Sequence, residues 1–330
     1  MGIRPTPRLT LLLMGLILAL GAAACGGDDD GGDVANSANT TEDANEDLSG
    51  TIRIDGSSTV APLSEAAAEL FMQENPNVRV TVGTSGTGGG FEKFCVGETD
   101  ISDASRPIKD EEAAICEENG IAFEEVTVAN DALSVMVNLE NPVDCLSVEQ
   151  LNQIWGPDST LSSWSEVDGL EPAFGEPLEL YGPGTDSGTF DYFTEAINGE
   201  EGAQRTDYNN IGEDDNTGIV GVEGTIGGMF YAGFSYYTEN ANRVKALQID
   251  GGGGCVEPAV ETVQDGSYAP LARPLFIYPS DTALARPEVL AFLEFYIENE
   301  QAIAEAVGFV DLTDEQQQEA NDKVASLAGG

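Results

Sequence analysis

Hydrophobic positions fall into three regimes along this chain. Over residues 9–24 they run almost unbroken, interrupted only by Thr10 and two glycines. Over residues 26–50 (GGDDDGGDVANSANTTEDANEDLSG) large apolar side chains nearly vanish. From Thr51 onward two periods take turns. A period of two marks strands, as in TIRID (51–55) and VRVTV (78–82), while helical spacing marks residues 60–75, which Pro76 ends. Further strands are predicted over 101–104, 123–128, 133–139, 178–181, 244–249 and 276–278. Helices are predicted over 90–96, 110–118, 148–155, 190–197, 287–306 and 313–328, with a mixed apolar region at 229–237. Strands alternating with helices, without a tandem repeat, predict α/β layers.

The first regime has the form of a leader. Arg4 and Arg8 precede an apolar run shorter than the roughly 20 residues of a membrane span, and Ala22, Ala23 and Ala24 come just before Cys25. Residues 1–24 therefore read as a secretory signal. Small residues followed by Cys resemble the bacterial lipobox, although Ala22 stands where Leu is usual. Cys25 is then the lipidated first residue of a protein held on the extracytoplasmic face of the cell membrane; ordinary cleavage leaving a free Cys is the alternative. The polar stretch, residues 25–50, cannot bury enough surface to offset its ordering entropy and reads as a disordered acidic tether. The folded part, residues 51–330, is long enough for two lobes of ordinary domain size.

Charge and composition narrow the chemistry. With 13 basic and 59 acidic residues the net charge is −46; loss of Arg4 and Arg8 with the signal leaves 11 against 59, or −48. Nucleic acid is excluded as a partner, and so acidic a surface suits a salty medium that screens self-repulsion. The chain contains no His, which rules out Ser–His–Asp and Cys–His nucleophile systems. Cys95, Cys116, Cys145 and Cys255 form an even set compatible with an oxidising compartment and with three pairings. Without CxxC spacing or His, a zinc site is disfavoured, and no cofactor is expected.

Three loops, each between a predicted strand and a predicted helix, carry the candidate chemistry: GSSTVAP (56–62), GTSGTGGGF (83–91) and GPGTDSGTF (182–190). Glycine lets backbone approach a ligand, hydroxyls donate, and a helix N-terminus adds free N–H groups and partial positive charge. Each loop is a small anion cradle. Taken singly, each also reads as simple N-capping. None is a Walker motif or a GxGxxG fingerprint.

In order, Cys25, GSSTVAP, TSGTGGGF, TDISDASRPI (99–108), LYGPGTDSGTFDYF (180–193), GEDDN (212–216) and PLARPLFIY (270–278) resemble the phosphate-binding proteins of phosphate ABC transporters, the PstS type. The resemblance implies a type II periplasmic-binding-protein fold, with two α/β lobes joined by two crossing strands and the ligand in the cleft. It places the crossings near 126–132 and 265–274, and hence lobe 1 at 51–128 and 266–330 and lobe 2 at 129–265. With that layout the pairing Cys95–Cys116 and Cys145–Cys255 staples each lobe and leaves hinge closure free.

The resemblance also implies a ligand set of Ser58, Thr59, Ser85, Ser187, Gly188 and Thr189. Two positions depart from the family pattern: Ser105 stands where a carboxylate receives the phosphate proton, and Pro183 stands where an Arg is usual. Arg106, beside Ser105, is the candidate replacement cation, unless it merely pairs with Asp103 or Asp110. Arg205 is the second choice, and Asp186 and Asp55 are candidate proton acceptors. The implied partners are inorganic phosphate, the permease and ATPase subunits of an importer, and the membrane through lipid on Cys25. The expected state is a monomer that catalyses nothing. A receptor for another oxyanion such as sulfate, or a secreted hydrolase using Ser187, are the competing readings.

Overall fold

The structure is a computed structural model that describes residues 48–328 apart from residue 213. The leader, Cys25 and the tether up to residue 47 lie outside the described residues. The fold begins slightly before Thr51: Leu48 already packs on the first core, and Gly50 opens the first strand.

Gly50–Gly56 (β1) buries Ile52 and Ile54 between exposed Thr51 and Arg53, the alternation a half-covered strand requires. The helix Ala61–Glu74 (α1) has Pro62 in its first turn, where a missing N–H costs nothing, and buries Leu63, Ala67 and Phe71 along one face. Val78–Gly83 (β2) pairs parallel with β1. The next helix, Gly86–Phe94 (α2), starts four residues earlier than the glycine run suggests. Low helix propensity is overridden by packing: a side chain at Gly90 would sit 2.5 Å from the Gly56 Cα, so close approach to β1 demands glycine there. Ile101–Ala104 (β3) and Asp110–Glu118 (α3) follow.

The two strands predicted over 123–128 and 133–139 are largely one, Val126–Asn138 (β4). The polar pair between them, Asn130 and Asp131, is buried and partnered. Asn130 donates its N–H to the Val310 carbonyl at 2.8 Å and its amide to the Asp311 carbonyl at 2.9 Å.

Beyond β4 the chain builds a second unit from Cys145–Ser147 (β5), Val148–Trp155 (α4), Glu179–Gly182 (β6) and Gly188–Phe193 (α5). Next come Asn209–Asn210 (β7), Asp215–Glu223 (α6), Gly228–Gly233 (β8) and Phe234–Asn240 (α7). Val244–Ala246 (β9), Gln248–Asp250 (β10), Cys255–Val256 (β11) and Val260–Gln264 (α8) complete it. The strand predicted over 244–249 is thus two strands in different sheets: β9 pairs with β4 and β10 with β5. Ala272–Pro279 (β12) runs back antiparallel to β4. Asp281–Leu284 (α9), Pro287–Glu298 (α10), Glu300–Val307 (α11) and Asp314–Ala328 (α12) close the chain, with Asn299 dividing the predicted helix 287–306.

The main sheet has the order β2-β1-β3-β12-β4-β8-β6-β7, so β12 and β4 stand at its middle. On one side of them Ile52, Leu63, Phe71, Val126, Leu275 and Phe292 form a core. On the other side Val135, Leu146, Trp155, Phe193 and Tyr231 form a second. Two lobes therefore share two adjacent strands. Cys95 bonds to Cys116, tying the end of α2 to α3, and Cys145 bonds to Cys255, tying β5 to β11. Each bridge stays on one side of the crossing.

Candidate functional site

The three glycine-bearing loops meet in one cleft. Ser58, Thr59, Ser85, Ser105 and Arg106 line it from the first lobe, and Gly188 and Asp191 from α5. Ser187 and Thr189 line the adjoining cavity, which shares Ser58, Thr59 and Gly188. All eight of the sequence-derived ligand positions thus border one continuous region.

Local chemistry fixes each loop. Ser57, buried before α1, donates its N–H to the Asp103 carbonyl at 2.9 Å and accepts from the Thr59 N–H at 3.2 Å, leaving Ser58 and Thr59 toward the cleft. Ser187 caps α5 by accepting from the Thr189 N–H at 3.3 Å. Ser105 donates its N–H to Thr87 Oγ1 at 3.2 Å, and the two hydroxyls are 3.1 Å apart. Capping and ligand-facing readings therefore coexist: the same turns that satisfy the helices hold the hydroxyls.

The residue missed by the sequence reading is Arg273, on β12. Its guanidinium lines the cleft, donates from Nε to Asp131 Oδ2 at 3.2 Å and from Nη2 to Thr59 Oγ1 at 3.3 Å, and lies 3.4 Å from the Tyr192 ring centroid. Asp131 is 5% exposed. Burial pushes its carboxyl up and Arg273 only partly offsets this. Tyr192 donates its hydroxyl to the Pro270 carbonyl at 3.0 Å, and burial pushes its titration up, so it stays neutral beneath the cation. A cation on a crossing strand, touching a first-lobe hydroxyl and a second-lobe ring, sits where both lobes converge. The motif PLARPLFIY contained it, but only tertiary structure shows that its side chain enters the cleft.

Arg106 also lines the cleft, yet its guanidinium is committed: Nη1 and Nη2 donate to Glu112 at 2.9 and 2.7 Å. The partner is Glu112, not Asp103 or Asp110. Burial pushes the Glu112 carboxyl up, but Arg106 and the Lys109 N–H hold it below the usual carboxylate range. Arg205, the second candidate cation, is not at the site. It is 6% exposed in the second lobe, donates to the Ile154 and Leu161 carbonyls at 3.1 and 2.9 Å and pairs with Asp207; it does not line the cleft. Its guanidinium serves loop structure. Asp186 likewise does not line the cleft, and Asp55 is bound up with Ser85 and Lys93.

Carboxylates near the cleft are handled in two ways. Asp103, fully buried behind the first loop, accepts from Ser64 Oγ at 2.9 Å and is pushed up to about 8 by burial, with Asp55 and Glu65 adding to the effect. At neutral pH it is uncharged and does not repel an anion. Asp191 lines the cleft beside Glu195 and Glu201, and burial together with these neighbours pushes it up to about 6 against the pull of Arg273. Against these three stand Arg106, Lys109 and Arg273. Two of these cations are already paired, Arg106 with Glu112 and Arg273 with Asp131, so the cleft concentrates cations that are scarce in a chain of net charge −46 without carrying an excess of them.

A family model described as a PBP superfamily domain matches residues 41–300. Protein SphX of Synechococcus elongatus is 48% identical over 264 residues, covering 79% of this chain and 77% of that protein. Phosphate-binding protein PstS of Staphylococcus saprophyticus is 36% identical over 319 residues, covering 96% and 93%. Among solved structures, that of a possible phosphate-binding protein from Planctomyces limnophilus superposes with a TM-score of 0.80 at 44% identity, covering 85% of this chain and 99% of that one. With that superposition the two lobes and their paired crossing strands are a type II periplasmic-binding-protein fold.

Proposed function

Because this chain belongs to the PstS-type phosphate-binding proteins of the PBP superfamily, we propose that it captures inorganic phosphate in the interlobe cleft and delivers it to an ABC importer, making and breaking no covalent bond. The observation that carries this reading is the convergence on one cleft of Arg273 with hydroxyls and a helix N-terminus from both lobes. A tetrahedral anion has several oxygens to satisfy, and Thr59, Ser58, Ser85 and Ser105 of the first lobe face Gly188 of the second. Short-range donors in a closing, water-poor cleft outweigh those surface carboxylates that lie beyond a Debye length of about 8 Å at physiological ionic strength.

Sulfate remains the natural competitor, since it shares phosphate's size and shape. Isothermal titration of the purified protein with phosphate is expected to give saturable one-to-one binding, with sulfate weaker. No binding of phosphate, or tighter binding of sulfate, overturns the assignment.

The same reading places the folded lobes outside the cytoplasm as a monomer, with the importer's permease and ATPase as partners and lipid on Cys25 as anchor. Mass spectrometry of protein extracted from membranes should find a diacylglyceryl group on Cys25 and nothing N-terminal to it. An unmodified Cys25 thiol removes the anchor.

A further inference from the structure

Two hydroxyls facing the cleft are backed by full charges, and by charges of opposite sign. Behind Thr59 stands Arg273, whose Nη2 donates to Thr59 Oγ1 at 3.3 Å. An oxygen that accepts from a guanidinium keeps its own hydrogen free, so Thr59 donates into the cleft. Behind Ser85 stands the carboxylate of Asp55. The Ser85 N–H donates to Asp55 Oδ1 at 3.1 Å, Ser85 Oγ makes a second hydrogen bond to the same oxygen, and Lys93 Nζ donates to Oδ2 at 2.6 Å.

Which partner owns the hydrogen between Ser85 and Asp55 decides what the cleft meets. Partial burial pushes the Asp55 carboxyl up, but Lys93 and Ser85 together hold it below the usual carboxylate range, so it is ionised at neutral pH. An ionised carboxylate has no hydrogen to give. The hydrogen therefore belongs to Ser85 and points away from the cleft, and the Ser85 oxygen turns its lone pairs outward.

The surrounding glycines make room for this arrangement. A Cβ at Gly83 would lie 2.5 Å from Asp55 Oδ2, and one at Gly89 would lie 3.0 Å from both Cβ and Oγ of Ser85. Neither glycine has a left-handed backbone, so what each supplies is space.

We infer that Asp55, held by Lys93, fixes the Ser85 hydroxyl as a hydrogen-bond acceptor toward the cleft, and that Ser85 accepts a hydrogen bond from the O–H that bound phosphate retains and sulfate lacks. This rests on the phosphate reading above. Ser85 touches the ligand, and Asp55 is a positioning residue. The arrangement would supply discrimination at a site where Ser105 occupies the place of the family's carboxylate. Thr59 and Ser85 split the work: a hydroxyl backed by a cation donates to a bare oxygen, and one backed by a carboxylate accepts from the protonated one.

The test is the ratio of sulfate to phosphate dissociation constants, measured by titration calorimetry at neutral pH for the wild type, Ser85→Ala and Asp55→Ala. A hydrogen-bonding group left without its partner in a closed site costs about 1 to 3 kcal/mol, so discrimination should fall roughly ten- to a hundredfold in Ser85→Ala. In Asp55→Ala the freed hydroxyl can turn and donate, so sulfate should bind more tightly than to the wild type while phosphate binds more weakly. A purely structural role for Asp55 would weaken both anions together. Ser85→Ala, at an exposed position, keeps the test valid if Asp55→Ala does not fold. Wild-type phosphate binding with an unchanged ratio in Ser85→Ala, or parallel loss of both anions in Asp55→Ala, overturns the inference and leaves the phosphate reading standing. Absence of phosphate binding in the wild type overturns both.

Discussion

Replacing Arg273 by Met is expected to weaken phosphate binding by at least about a thousandfold, the equivalent of roughly 4 kcal/mol. Two losses combine. Charge-assisted hydrogen bonds are worth about 1.5 to 3 kcal/mol each, and the substitution removes the cation where the lobes meet. It also strands Asp131, 5% exposed, which loses the cation that partly offsets its burial. Removing one member of a buried pair costs on the order of 3 to 5 kcal/mol, so stability should fall as well.

Adding Asp131→Asn separates the two losses. The double variant should recover much of the stability and little of the binding. Arg106→Ala is the internal control, since its guanidinium is already engaged by Glu112 and the expected loss is within about tenfold. Titration calorimetry beside thermal melts reads all three variants. Phosphate affinity of Arg273→Met within tenfold of the wild type would mean that the anion is held elsewhere in the cleft.

Removing the bridge between Cys145 and Cys255 should cost about 5 kcal/mol of unfolding free energy, against about 3 kcal/mol for Cys95 and Cys116. The difference follows from loop length in the chain-entropy account: the first bridge closes a sequence separation of 110 residues and the second one of 21. The first bridge also has weaker backbone support. The small sheet it staples pairs only three residues between β5 and β10 and two between β10 and β11, too little to hold itself together. Denaturant titration of the Cys145→Ala, Cys255→Ala double variant checks the figure. A loss under about 1 kcal/mol, or a larger loss at Cys95 and Cys116, contradicts the loop argument. Phosphate affinity of the surviving folded protein should be unchanged, because neither bridge lines the cleft.

What could be read from the chain was what local chemistry decides. The alternation in TIRID and VRVTV and the helical spacing of residues 60–75 appear as β1, β2 and α1 with ends shifted by one residue at most. The serines, threonines and glycines of the three loops signalled a cleft because their hydroxyls and helix starts are local features. Decisions made by distant residues were not legible. Asn130 and Asp131 lie between the two predicted strands that β4 joins, and only Val310, Asp311 and Arg273 explain their burial. The predicted helix over 90–96 missed the first turn of α2, which the GTGGG run forms where Gly90 packs on β1. Arg205 and Arg106 drew attention as scarce cations beside suggestive motifs, yet carbonyls and Asp207 occupy the first and Glu112 the second. Ser85 read as a donor by residue type; the carboxylate 30 residues earlier in the chain reverses its direction.

A crystal structure of the protein grown with saturating phosphate tests the central claim most directly. The account predicts one tetrahedral anion between the lobes, with Arg273 Nη2 and the Thr59 hydroxyl on one side and the N-terminus of α5 on the other. Ser85 should lie at hydrogen-bond distance from a single phosphate oxygen while still donating to Asp55. An anion bound to Arg106 with Arg273 left on Asp131 alone, or phosphate absent from the cleft altogether, would contradict it.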